Sequence, residues 1–159
     1  MKNWFYLILI SVFGLNAVSG AEAEQATYCV QLIRGNNRDT PPVADAKPVS
    51  PELTKMIRRV FNWKSYWEIN RQRVTLTRGQ KAKVRLSKER EVEIDLTDLA
   101  KRKVTAYEGR KAVTRSTWPV GNATTIIGGD RDSNSVWFIV VRRSQPREKA
   151  ILSNQAANR

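Results

Sequence analysis

Alternation between polar and apolar residues is most regular in the middle of the chain. The two kinds of residue alternate with a period of two in residues 71–77, 81–86 and 91–96. Such a period places neighbouring side chains on opposite faces of a strand. The pattern predicts three consecutive antiparallel strands, with a hairpin turn at Gly79 between the first two.

The charges of two of these strands are opposite in sign. Strand 81–86 carries lysine and arginine at its polar positions, whereas strand 91–96 carries glutamate and aspartate. Because the apolar residues of both strands must share the buried face, we expect Lys83 and Arg85 to lie opposite the acidic row. This arrangement favours a ladder of surface ion pairs over a stripe that binds nucleic acid.

Further strands are predicted on both sides of this region. Residues 28–33 are rich in β-forming residues, and residues 104–107 and 111–117 flank an acid–glycine pair that suits a hairpin turn. A glycine-rich loop separates strand 123–127 from strand 136–141. The last strand is apolar on both faces, which predicts a position in the middle of a sheet with both faces covered.

An aromatic segment, residues 61–69, fits either a strand or the continuation of a helix. Its aromatic and β-branched content favours a strand, in which Trp63 and Trp67 share one face as core residues. Tyr66 then falls on the opposite face and is a candidate for a surface contact. Glu68 is expected to be partly buried and to pair with an arginine of the strand that follows.

One short helix is predicted before the aromatic segment. Residues 35–49 contain three prolines and no apolar period, which indicates a linker or a surface loop. Ser50, Pro51 and Glu52 are typical of a helix start, since serine can cap free amides and glutamate favours the positive end of the helix dipole. Apolar residues follow at helical spacing, so an amphipathic helix is predicted over residues 51–60.

These elements predict a single, mainly β domain over residues 27–143. The expected architecture is an antiparallel β-sandwich or curved sheet of about seven or eight strands, with one short amphipathic helix on one face or at one end. The residues that follow, 144–159, are basic and lack helix-capping signals. They are predicted to form a flexible tail.

The chain begins with the three-part pattern of a secretory signal peptide. Lys2 precedes an apolar run of about 12 residues, and small residues follow. Cleavage is predicted after Gly20, or as late as Ala23. The apolar run is shorter than the roughly 20 residues of a membrane-spanning helix. The pattern therefore predicts an exported protein of the periplasm or cell envelope, with no transmembrane segment after cleavage.

The composition excludes several kinds of reaction centre. The chain has no histidine and its single cysteine is Cys29, so an intramolecular disulfide, a Cys/His zinc site and a histidine-based catalytic triad are excluded. Cys29 is expected to be a buried thiol of the first strand. Residues 130–134 match the start of a calcium loop, but Ser135 and Val141 stand where that loop needs glycine and a carboxylate. The sequence predicts no enzyme, metal site or cofactor.

The chain is strongly basic. Its 28 lysines and arginines outnumber its 15 acidic residues, which gives a formal net charge of +13. Such a field favours encounter with polyanions. The cations that lack nearby acids concentrate in the second half of the chain. With Tyr66 they make up the candidate binding residues, which are Lys101, Arg102, Lys103, Arg110, Lys111, Arg142 and Arg143.

Three motifs carry a resemblance to known proteins. The aromatic run 61–68 is followed by the alternating residues 73–76, and the sequence Ile-Gly-Gly-Asp of residues 127–130 precedes the apolar last strand. These motifs resemble a group of small exported bacterial β-domain proteins, in which an aromatic strand opens the sheet and a Gly-Gly turn precedes the last strand. The resemblance spans residues 27–143 and implies export and a β fold. Some members look like companions of envelope secretion or surface-assembly systems, and none supplies catalytic residues.

Two functions are expected from these features. The first is a non-enzymatic envelope module that binds another protein, as an accessory to a secretion or surface-assembly system. The alternative is a protein that binds an anionic glycan, cell-wall polymer, lipid headgroup or nucleic acid on a basic face. A steep loss of affinity with rising salt would favour the second over the first. The sequence leaves the oligomeric state open.

Overall fold

A computed structural model of the protein describes residues 24–121, 124–131 and 134–144. These residues form one helix and nine strands. The elements are β1 (Gln25–Asn36), β2 (Lys47–Pro48), α1 (Pro51–Arg58), β3 (Ser65–Thr77), β4 (Lys81–Arg85), β5 (Arg90–Asp95), β6 (Lys101–Glu108), β7 (Lys111–Pro119), β8 (Thr125–Arg131) and β9 (Ser135–Arg143). The predicted signal peptide, the tail after Ser144 and the centre of the calcium-like loop lie outside the described residues.

The strands form two antiparallel sheets, which confirms the predicted mainly β fold. The five-stranded sheet has the order β2-β3-β1-β9-β8, and the four-stranded sheet has the order β4-β5-β6-β7. The four-stranded sheet is a simple meander, so its neighbours in sequence are neighbours in space. The structure has nine strands where the sequence predicted seven or eight.

Two apolar clusters hold the layers together. The first fills the space between the sheets, and its fully buried members include Val30, Ile94, Val104 and Ile139. The second lies on the outer face of the five-stranded sheet, where Leu53 and Ile57 of α1 cover Phe138, Ile33 and Val140. The chain is thus built as three layers, with α1 outside the five-stranded sheet and the four-stranded sheet on its other side.

This layering explains why β9 is apolar on both faces. β9 pairs with β1 on one side and with β8 on the other. Residues 135–141 are all buried, because the four-stranded sheet covers one face of β9 and α1 covers the other. The predicted interior position of the last strand is confirmed.

Helix α1 is shorter than predicted and starts in a different way. It ends at Arg58, and its first residue is Pro51 as expected. The Ser50 side chain forms no capping hydrogen bond, whereas its carbonyl accepts one from the backbone N–H of Thr54 at 2.9 Å. The predicted serine cap is therefore wrong, and proline at the first position is the start signal that operates.

The predicted hairpin at Gly79 is also wrong. β3 pairs with β1 and β2, whereas β4 pairs with β5 in the other sheet. Gly79 has a φ of +85°, and its N–H donates to the carbonyl of Leu96 at 2.8 Å. Glycine adopts this backbone conformation readily, so the chain can turn sharply there from one sheet into the other.

The aromatic segment enters the sheet later than predicted. The strand starts at Ser65 and continues without a break to Thr77, with Ile69 as an extra residue in the register with β1. Trp63 is a buried core residue, as predicted, but it packs with Tyr66 in the cluster under α1, so the predicted common face of Trp63 and Trp67 is wrong. Glu68 is partly buried and pairs with Arg71 at 2.7 Å, which confirms the expected ion pair.

Tyr66 does not serve the predicted surface role. Only 5% of this residue is exposed, because α1 covers the outer face to which it points. Its hydroxyl donates to the carbonyl of Phe61 at 2.5 Å and accepts from the N–H of Trp63 at 3.1 Å. Tyr66 therefore stabilises the turn that leads into β3.

The predicted register of the basic and acidic strands is confirmed, and one ion pair of the expected ladder is formed, whereas Lys83 Nζ lies 4.1 Å from the centroid of the Tyr107 ring. Lys83 lies opposite Glu93 and Arg85 lies opposite Glu91 in the register of β4 and β5. Arg85 Nε lies 2.9 Å from Glu91 Oε1. Because these groups are largely at the surface, each pair stabilises the fold by about 1 kcal/mol at most.

Candidate functional site

β7 is the outermost strand of the four-stranded sheet. It pairs with β6 along one edge, and no strand pairs with its other edge in the part of the chain that the structure describes. Eight of its nine residues are exposed. An edge strand presents backbone N–H and C=O groups that another extended chain can pair with. This edge is the candidate functional site.

The hairpin that leads into β7 is the one predicted from the acid–glycine pair. Gly109 has a φ of +58°, which suits a tight turn. Val113 is an extra residue in the register between β6 and β7, so β7 carries a bulge. A bulge strengthens the local twist of an edge. Val113 is exposed despite being apolar, and so is Trp118, at 48%.

Five exposed cations surround this edge. We call them the cationic strip, and they are Lys101, Lys103, Arg110, Lys111 and Arg115. Residues 109–121 contain no acidic residue. Arg115 also lies within hydrogen-bonding distance of the Thr105 hydroxyl, at 3.4 Å from Nε to Oγ1. The candidate site therefore combines the free backbone edge of β7 with positively charged side chains on β6, on β7 and in the turn between them.

Asp95 lies beside one member of the strip, Lys103. Its Oδ1 accepts hydrogen bonds from the Thr97 hydroxyl at 2.6 Å and from the Thr97 N–H at 2.9 Å, and its Oδ2 lies 3.9 Å from Lys103 Nζ. The Thr97 hydrogen bonds, helped by Lys103 and Lys81, hold the pKa of Asp95 below its ordinary value. Asp95 consequently stays charged beside Lys103 in mildly acidic solution.

We expect Thr97→Ala to raise the pKa of Asp95 towards its ordinary value, because the hydroxyl that favours the charged form is lost. A lowered folded-state pKa stabilises the fold above the unfolded value, about pH 4, and the stabilisation disappears as pH falls through the folded value. A carbon-13 NMR titration of the Asp95 carboxyl measures this shift. Thr117→Ala, opposite Lys103 on β7, is the control and should leave the titration unchanged.

The structure divides the predicted basic residues among several places. Lys101, Lys103, Arg110 and Lys111 lie in the β6–β7 hairpin and belong to the cationic strip. Arg102 belongs to the same hairpin but points into the core, and Arg142 and Arg143 belong to β9, so the predicted single basic face is not formed.

Arg142 and Arg143 belong to β9 in the other sheet, and both are half-buried. Arg143 NH2 lies 2.9 Å from Glu24 Oε1. The hydrogen bond from Arg143, with the charge of Arg78, holds the pKa of Glu24 below its ordinary value. Arg143 thus joins the start of β1 to the end of β9.

Arg102 corrects the prediction most clearly, since it is completely buried. Lys101 and Lys103 face solvent, so the period of two along β6 turns Arg102 towards the interior. Its NH2 group donates to Thr125 Oγ1 at 2.8 Å, and its Cζ lies 5.5 Å from the centroid of the Tyr28 ring. Burial lowers the pKa of Arg102, and Tyr28 partly opposes that shift.

Two apolar residues of the site, Val113 and Trp118, were not among the predicted binding residues. β7 reads as a strand, but it lacks the alternation of large apolar side chains that marks the buried strands. That absence, with Pro119 at the end of the strand, is the sequence signal for an edge position.

The remaining chemistry-bearing residues were also located. Cys29 is a buried free thiol in β1, as predicted. Among the described residues, no three cysteine or carboxylate side chains are grouped as they would be to hold a metal ion. In the same part of the chain, no helix has both the length and the apolar character needed to cross a bilayer.

No protein-family model matches the chain, and no curated protein or solved structure matches it either. The resemblance to small exported β-domain proteins stays a prediction.

Proposed function

We propose that this protein is a non-enzymatic module of the cell envelope that binds another protein by pairing an extended segment of it with the free edge of β7. The observation that carries the proposal is the edge itself, which lacks a strand partner in the described chain and is exposed along almost its whole length. Strand addition of this kind supplies affinity through main-chain hydrogen bonds.

The positive charge around the edge of β7 favours an acidic partner segment. The five members of the cationic strip leave an approaching strand with positive neighbours along its length, and residues 109–121 offer no acid in return. A second copy of this chain would bring the same cations against them, and like charges across a strand pair are destabilising. An acidic extended segment has the complementary charge.

Side chains of the partner would meet different surroundings on the two faces of β7. Trp118 and Lys111 lie on the face of Arg102 and Glu108, whereas Arg115 lies on the opposite face with Lys101 and Lys103. Alternate side chains of an added strand point to opposite faces. A segment that alternates acidic and β-branched residues therefore fits the edge.

The signal-peptide pattern of residues 1–20 supports export. The resemblance to exported β-domain proteins supports a role beside a secretion or surface-assembly system. In such a system, this module would hold an extended segment of a larger protein by its backbone.

The alternative is that the cationic strip binds an anionic polymer directly. The exposure of all five cations favours this function, since a polyanion needs only charge and reach. Such a polymer lacks the regular row of backbone N–H and C=O groups with which an extended peptide pairs along a strand edge. The first function therefore requires a ligand with an extended peptide backbone, whereas the second requires only negative charge.

Two synthetic peptides of equal charge separate them. We expect a ten-residue peptide of alternating glutamate and valine to bind, with slowed hydrogen exchange of the backbone amides of β7. A peptide of alternating glutamate and proline should bind about tenfold more weakly or worse, because proline has no N–H to donate to the edge. Isothermal titration calorimetry and hydrogen-exchange mass spectrometry measure the two effects.

Charge reversal tests the site. The double variant Lys111→Glu/Arg115→Glu should weaken binding of the glutamate–valine peptide about tenfold or more, because both side chains border the edge. Lys55→Glu/Arg59→Glu, with the same change in net charge at exposed positions of α1 and its end, is the matched control. Equal binding of both peptides and of polyphosphate would establish the polymer function instead. No binding of either peptide would overturn the proposal.

A further inference from the structure

The C-terminal end of α1 presents an exposed surface on the side of the molecule that faces away from the four-stranded sheet. Residues 55–60 are exposed apart from Ile57, which packs on the five-stranded sheet. The helical turn continues beyond Arg58, because the N–H of Val60 donates to the carbonyl of Ile57 at 3.1 Å. Side chains one turn apart are neighbours on a helix, so Met56 lies beside Val60.

Met56 and Val60 form an apolar row at the surface. Val60 is 75% exposed, more than any other large apolar residue that the structure describes, and Met56 is 41% exposed. The contact with the sheet is made by Leu53 and Ile57, so neither residue of the row is part of the core. Exposed apolar residues beside cations are typical of helices that lie in the headgroup layer of a membrane.

Cations surround this apolar row, and they are Lys55, Arg58 and Arg59. Arg58 is held in place, since its NH2 donates to the carbonyl of Lys64 at 2.8 Å. Lys55 and Arg59 lie one turn apart and form no ion pair within the described residues. The acidic residue of α1, Glu52, lies at the other end of the helix. Basic residues in a last turn suit the helix dipole, but the dipole does not account for the apolar row.

The sheet under α1 adds positive charge on the same side of the molecule. Arg73 of β3 and Arg142 of β9 both lie opposite Cys29 of β1 in the register. Alternate residues of β1 share a face, so both arginines point to the face on which α1 covers Ile33. Arg71, two residues before Arg73, points to this face as well. The positive charge is therefore not confined to the helix.

We propose that this side of the molecule docks on a bilayer of anionic lipids, with the C-terminal end of α1 in the headgroup layer. Lys55 and Arg59 would lie near the lipid phosphates, and the apolar row would reach the boundary of the acyl chains. A soluble polyanion would match the cations but would leave Met56 and Val60 in water. The bilayer accounts for both.

This proposal is independent of strand addition at β7. The edge of β7 belongs to the four-stranded sheet, whereas α1 covers the outer face of the other sheet. A molecule docked through α1 would therefore keep the β7 edge available to a partner.

Vesicles of phosphatidylcholine with about 30% phosphatidylglycerol test the proposal, with pure phosphatidylcholine vesicles as the comparison. The chain is used without residues 1–23, because the apolar run of the predicted signal peptide would itself enter a bilayer. Both apolar clusters lie within the chain that remains. We expect co-sedimentation with the anionic vesicles and about tenfold weaker partition, or worse, onto the neutral ones. Equal partition onto both, or none onto either, would overturn the proposal.

Glycerol phosphate distinguishes a bilayer from a free phosphate group. It carries the phosphate chemistry of the headgroup without an apolar layer, so a large excess should not displace the protein from the anionic vesicles. Complete displacement would show that a phosphate group alone is bound, and the bilayer assignment would fail.

Two pairs of variants locate the docking surface. Lys55→Glu/Arg59→Glu reverses two charges at the end of α1, and Lys111→Glu/Arg115→Glu makes the same change in net charge at the β7 edge as its control. Val60→Asn removes an apolar side chain that lies outside the core. Its control is Leu99→Asn, at a residue that is 61% exposed between β5 and β6.

We expect Lys55→Glu/Arg59→Glu to weaken partition onto the anionic vesicles about tenfold or more, and Val60→Asn about threefold or more. The charge control should weaken it about twofold at most, and Leu99→Asn should leave it unchanged. Equal losses in the two charge variants would indicate attraction by net charge alone and overturn the assignment to α1. Undiminished partition of Val60→Asn would mean that only charge is recognised and would overturn the proposal as well.

Discussion

Gly129→Ala is expected to destabilise the protein by about 3 kcal/mol or more. A Cβ atom at Gly129 would lie 1.6 Å from Cε2 and Cζ2 of Trp137, far inside any contact distance. The indole therefore has to leave its place in the core between the sheets, and burial of a large aromatic side chain is lost with it. Thermal unfolding should show a fall in Tm of about 10 °C or more.

Gly121→Ala is the matched control. No atom lies within 4 Å of a Cβ built at Gly121, so the substitution should change stability by about 0.5 kcal/mol or less. The near-ultraviolet circular dichroism of the two variants should differ too, because only Gly129→Ala displaces a tryptophan. A Tm of the Gly129 variant within about 2 °C of the unsubstituted protein would contradict the packing of Trp137 on Gly129.

The sequence motif at this place has a different role from the one predicted. Gly128 and Gly129 were expected to form a turn before the last strand, but both lie inside β8. Gly128 faces Phe61 and Phe138 on the helix side, whereas Gly129 makes room for Trp137 on the other. Absence of a side chain is required there for packing. A sequence motif alone cannot distinguish a close approach from a turn, since glycine suits both.

Local alternation predicted two strand pairs of the meander, β4 with β5 and β6 with β7, and failed for a third pair. The register of β4 and β5 follows from which side chains must share a face, and strands adjacent in sequence are the default neighbours. The predicted pairing of residues 71–77 with residues 81–86 is wrong, because a period of two shows which side chains share a face of a strand but not which sheet the strand joins. Gly79 fits a hairpin and a crossing between sheets equally well.

Burial of Tyr66 shows a second limit of alternation. The sequence placed Tyr66 opposite Trp67 correctly, but it did not reveal that the second face would also be covered. α1 covers that face because Leu53 and Ile57 meet Phe138, which is far away in sequence. The packing of the layers decides which of the two faces of β3 is exposed to solvent.

The proposed edge site depends on how the strands are arranged in the whole domain. β7 is an edge because no strand follows it in the four-stranded meander of the described chain. Charge counting predicted Lys101, Lys103, Arg110 and Lys111 of the cationic strip. It also included Arg102, because counting charges does not show to which face of a strand a side chain points.

Arg102→Ala should destabilise the protein by about 2 kcal/mol or more, although it removes one member of a basic run. The residue is fully buried, so truncation leaves a cavity beside Tyr28. It also leaves the buried hydroxyl of Thr125 without the guanidinium that donates to it at 2.8 Å. Relief of the cost of burying a charge offsets part of this loss.

Lys101→Ala removes the neighbouring cation on the exposed face and should change stability by about 0.5 kcal/mol or less. Arg102→Met refills most of the cavity with an apolar chain, so its loss of stability should be smaller than that of Arg102→Ala. Urea unfolding at neutral pH gives all three values. If Lys101→Ala cost as much as Arg102→Ala, both residues would face the same environment, and the assignment of alternate faces along β6 would fail.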